Sequence, residues 1–148
     1  LHHIRMRRRG GGVIKNLLAF KKRFAKRVVE NPEHHAEKLI ARATMLVEGS
    51  VKELIQAGGK TGRTYGKHTA SAPGQPPATD TGKLVGSISM RIEDSDGEVL
   101  GIVSASAKYA PFLEFGTTNM APRPFMQPGL ESQRRKIETM FRQGGLIK

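Results

Sequence analysis

The chain has 148 residues, no cysteine, no tryptophan and a net charge of +12. That length suffices for one domain with its own core, and zero cysteines exclude disulfides, thiolate metal sites and cysteine nucleophiles, which suits a reducing compartment. No run reaches the roughly 18 apolar residues of a spanning helix, and the basic start LHHIRMRRRGGGVIKNLLAF breaks its apolar part at Lys15 and Asn16 with no cleavage site after it, so a soluble, non-exported protein is expected.

The charge is unevenly placed. Residues 1–70 hold 16 Lys and Arg against 5 acids and residues 71–148 hold 9 against 8, giving +11 and +1. Such asymmetry points to an acidic or polyanionic neighbour, nucleic acid by default. A solvated basic helix face is the plainer account, because these cations lack the interleaved aromatics of a base-stacking surface.

In chain order, residues 1–12 form a basic extension whose first five residues, before Met6, read in part as added rather than native sequence. Residues 13–148 then read as a single domain. Ile14, Leu17, Leu18, Phe24 and Val28 share one arc at helical spacing, with Lys15, Lys22, Arg23, Lys26 and Arg27 opposite, so a helix is expected over residues 13–30. Those five cations are the candidate polyanion-facing set. Asn31 and Pro32 supply a cap and a first helical position. Ala36, Leu39, Ile40, Ala43, Leu46, Val47, Val51 and Leu54 carry a second stripe that ends at Gly58 and Gly59.

Residues 58–82 contain six glycines and three prolines, which argue against regular structure and for an extended, flexible arm or flap. Ile88, Met90 and Ile92 alternate with polar residues as one strand, DSDG turns the chain, and EVLGIVSASA returns as a second. Phe125, Leu130, Ile137, Met140 and Phe141 mark a closing helix to about Arg142. Two amphipathic helices, an arm, a small antiparallel sheet and a C-terminal helix predict an α+β fold.

Reaction chemistry finds little support. GGKTG at residues 58–62 resembles a phosphate-binding loop, but Leu54 stands where the first glycine must be. In DSDGE, placing Asp94 and Asp96 at calcium-loop positions puts Ile92 and Val103 at ligand positions, which neither side chain can fill. His34 and His35 are adjacent, without the i,i+4 spacing of a zinc helix. No nucleophile, base and orienting group assemble, so no enzyme activity, metal or cofactor is expected.

The densest stretch is YAPFLEFGT, residues 109–117, where aromatics surround a single acid. It reads as one helical turn with Tyr109, Phe112 and Leu113 toward the sheet, and Gly116 reverses the chain. The APRPF segment that follows is extended, because residues before proline avoid the helical region. Arg123 there is suited to clamp Glu114 as a latch onto the last helix.

SAPGQPPATDTGKLVGSI (residues 71–88), YAPFLEFGT and APRPFMQPGL (residues 121–130), in this order, resemble the tail-completion or minor tail protein family of long-tailed double-stranded DNA phages and prophages. The resemblance covers roughly residues 30–143 and falls on Thr81, Gly82, Leu84, Ser87, Tyr109, Ala110, Glu114, Phe115, Gly116, Thr117, Arg123, Pro124, Phe125 and Pro128. It implies a non-enzymatic virion part at the head-proximal end of the tail, assembled in the host cytoplasm as a homo-oligomeric ring. Its implied partners are other tail and head-closure proteins, with DNA passing through the channel and no membrane. A basic protein that binds duplex DNA without sequence preference is the alternative.

Overall fold

The computed structural model describes residues 6–7, 32–95 and 98–147. The helix expected over residues 13–30, with Lys15, Lys22, Arg23, Lys26 and Arg27, lies outside them. The described elements are β1 (Met6–Arg7), α1 (Pro32–Ala57), β2 (Thr64–Tyr65), β3 (His68–Thr69), α2 (Lys83–Gly86), β4 (Ile88–Ser95), β5 (Glu98–Ala105), α3 (Ala110–Phe115) and α4 (Met126–Gln143). This is the α+β class that the patterning predicts.

Helix α1 starts at Pro32, whose missing N–H is one a first turn leaves unpaired anyway. Its stripe of Ala36, Ile40, Ala43, Val47, Val51 and Ile55 is almost wholly buried. Steps of three and four residues keep those side chains on one face, so they supply a continuous ridge to the core. Ile55, outside the stripe read from the sequence, completes it, while Leu54 is half-buried.

That ridge lies across an antiparallel sheet of order β1-β5-β4. Ile88 pairs with Ala105 and Ser95 with Glu98, so the hairpin closes over two residues. Strand β4 alternates as expected, with Ile88, Met90 and Ile92 inward of exposed Ser89, Arg91 and Glu93. Central β5 is instead buried along nearly its whole length. At Gly101 it runs so close to α1 that a Cβ would strike Thr44 and Ile40.

Helix α4 packs antiparallel to α1, with Gly129 against Val51 and Gly144 against Leu39. Ser50 and Ser132 share a hydrogen bond of 2.7 Å across this contact. Phe125, Met126 and Ile137 join Val47, Val51, Leu84, Ile88 and Val103 in one core. Arg134, Arg135 and Lys136 are exposed.

The arm departs from expectation. Residues 58–82 do not form an extended flap: β2 and β3 pair as a ribbon, Tyr65 opposite His68, around a two-residue loop with Gly66 at φ 59°. Glycine in the first loop position supplies the positive φ such a hairpin needs. Beyond the ribbon the chain is tied down, with Thr79 Oγ1 donating to the Ile55 carbonyl at 2.9 Å and Gly74 N to the Pro122 carbonyl at 2.9 Å.

Candidate interaction surface

Helix α3 has two faces. Ala110 and Glu114 are buried and Leu113 packs against the core, whereas Tyr109, Phe112 and Phe115 are 43%, 55% and 58% exposed. Tyr109, Phe112 and Phe115 are spaced by three and lie on one side. Tyr109 and Phe112 therefore face outward rather than toward the sheet, which corrects the sequence reading.

A buried carboxylate needs compensation, and α4 provides it. Glu114 Oε2 accepts from the backbone amides of Phe125 at 2.8 Å and Met126 at 3.0 Å, and Oε1 accepts from Gln127 at 3.0 Å. The first amides of a helix have no partner within it, and they carry the positive end of its dipole. Glu114 thus caps α4 from 11 residues upstream. It fills a role that Phe125, the residue at the cap position, cannot fill, since its side chain makes no cap bond.

Arg123 is not the partner of Glu114, and no ion pair joins them. Its Nε donates to the Ser71 carbonyl at 3.1 Å and its backbone N to the Leu113 carbonyl. Arg123 therefore ties the folded arm to the α3 turn, the arm through its guanidinium and α3 through its backbone amide, while the carboxylate is held by three amides. In place of the expected Glu114–Arg123 latch stand two separate contacts.

Gly116 makes the exit from α3 with φ 74° and ψ −176°, a region essentially confined to glycine. Thr117 N donates to the Met120 carbonyl at 2.8 Å and closes the next turn. Pro124 is half-buried and Phe125 is 1% exposed, so both belong to the core side of this segment.

Between the ribbon, the α2 turn and α3 lies a cleft of about 830 Å³. Ile55, Leu84 and Leu113 line its floor, and Arg63, Lys83 and Arg123 bring three cations to it. Its one acid, Asp80, sits 3.6 Å from His68 Nδ1. Sequence reasoning missed this site, although its signal was present: residues 58–79 contain Lys60, Arg63 and Lys67 and no acid.

Among the described residues, no group of three His, Asp or Glu is placed to hold a metal, and no helix is long and apolar enough to cross a membrane. Comparison with protein-family models, with curated proteins and with solved structures finds no match in any of the three.

Proposed function

We propose that the chain is a non-enzymatic assembly part of a long-tailed double-stranded DNA phage or prophage, completing the head-proximal end of the tail and helping join it to the capsid. The observation that carries this reading is the two-faced α3: its acid is consumed as a buried helix cap while Tyr109 and Phe112 are presented to solvent. Exposed aromatics on a rigidly held turn suit a protein–protein contact, where such residues supply most of the binding energy. The resemblance of residues 71–88, 109–117 and 121–130 to tail-completion proteins supplies the context. In it the partners are tail and head-closure proteins and further copies of the chain in a ring.

The acid-free ribbon, with Arg63 above the ring of exposed Tyr65 at 5.6 Å, favours the second reading, contact with duplex DNA. That reading requires binding which weakens steeply as salt displaces the protein from phosphates. Electron microscopy of a lysate from the parent phage or prophage, with this gene deleted, tests the first. DNA-filled heads beside detached tails are expected. Normal joined particles would overturn the assignment.

A further inference from the structure

We propose that copies of this chain associate head to tail, Asp94 near the far end of strand β4 of one copy seating in the cleft between the β2–β3 ribbon and α3 of the next. The cleft has an unbalanced charge. Arg63 and Lys83 make no ion pair among the described residues, Arg123 spends only its Nε, on a carbonyl, and Asp80 already faces His68. Tyr65 and Tyr109 flank the opening with exposed rings and an apolar floor lies beneath, so the cleft fits a carboxylate-bearing turn rather than a free ion.

The matching group lies on the same chain. Residues 93–98 carry four acids. Glu93 is held by Arg91, and Asp94 is exposed and makes no ion pair among the described residues, with Asp96 two positions on in the sequence. Strand β4 separates the two features: it starts at Ile88, just past the α2 turn that carries Lys83, and reaches Asp94 after six residues, ~20 Å at strand rise. One copy cannot bring its own Asp94 to its own Lys83. Two different patches at opposite ends of a sheet make a heterologous contact, which closes into a ring or runs on as a filament. The interface rests on the assembly reading for its purpose, since it supplies the copy-to-copy contact of that ring.

The absence of native cysteine makes the test direct. Ser95→Cys beside the hairpin acid and Thr81→Cys at the cleft each place one thiol with little change in size. Mixed and oxidised, the two variants are expected to form the mixed disulfide in several-fold excess over either self-paired product. Adding Asp94→Lys to the Ser95→Cys chain should remove the excess, as should ~1 M salt, which shortens the screening length to about 3 Å. Adding Lys83→Glu to the Thr81→Cys chain should restore it to the Asp94→Lys partner. Circular dichroism confirms that each variant is folded. Pairing in the proportions of random collision, or an excess that Asp94→Lys leaves unchanged, would overturn the proposal. Random pairing with salt-steep retention on duplex DNA would also overturn it and assign the cleft cations to phosphate. Failure here is distinguishable from failure of the assembly reading: random pairing with detached tails in the deletion lysate removes only the interface, and excess mixed disulfide with normal particles removes only the role.

Discussion

Replacing Glu114 by alanine is expected to destabilise the protein by about 3 kcal/mol, the range of losing hydrogen bonds to a charged group at a helix start. Three amides, of Phe125, Met126 and Gln127, lose their acceptor together. The first two bonds are buried, so water cannot replace the carboxylate without opening the α3–α4 junction. For a chain of this size such a loss lowers Tm by roughly 10 °C. Glu114→Gln keeps one oxygen, which can serve Phe125 and Met126, and turns an amide donor toward the part-buried Gln127 N–H. It should cost about half as much. Urea unfolding of the three proteins checks both values. A Glu114→Ala midpoint equal to wild type would contradict the capping role.

Gly101→Ala is the second large effect, with an expected cost of about 3 kcal/mol or more from overpacking. The added Cβ enters the space of Thr44 Oγ1, a hydroxyl that donates to the Ile40 carbonyl at 2.7 Å inside α1 and has little room to turn away. Ile40 closes the other side, its Cγ2 at 3.2 Å from the same position. Either the helix lifts from the sheet or β5 bends, and each opens the core beside Val103. Adding Thr44→Ala removes the hydroxyl and should recover a substantial part of the loss, a coupling that a double-mutant cycle in urea measures. Strict additivity of the two substitutions would refute the close approach.

The frame was legible wherever one face of an element is apolar and the other is not. The stripe from Ala36 to Val51 and the alternation of Ile88, Met90 and Ile92 each mark their inner side without reference to anything distant. Helix α3 was ambiguous because both faces carry apolar residues: Tyr109, Phe112 and Phe115 on one, Ala110 and Leu113 on the other. Composition favours burying the aromatics. The decision is made by Glu114, whose inward placement becomes favourable only when the start of α4 offers amides 11 to 13 residues later, a fact of tertiary structure. The same distance hid the partner of Arg123, since the Ser71 carbonyl is 52 residues away. A guanidinium near a carboxylate in sequence suggested a pair that the geometry replaces with better-matched partners for both.

The β2–β3 ribbon was hidden for a different reason. Glycine and proline counts over residues 58–82 describe the whole stretch, whereas the signal is local: Thr64 and Tyr65, then Gly66 and Lys67, then His68 and Thr69. Strand-forming residues around a two-residue loop that opens with glycine make a hairpin even within an otherwise irregular segment. Averaging over the stretch removed that contrast.

Phe112 is 55% exposed and so should contribute little to stability, within about 0.5 kcal/mol. Complementing the gene-deleted phage with Phe112→Ser, alone and combined with Tyr109→Ser, separates surface from core. The predicted result is a chain with an unfolding midpoint close to wild type in a lysate of free heads and detached tails. A folded Phe112→Ser, Tyr109→Ser chain that yields joined, infectious particles would contradict the claim that this face of α3 is the surface on which assembly depends.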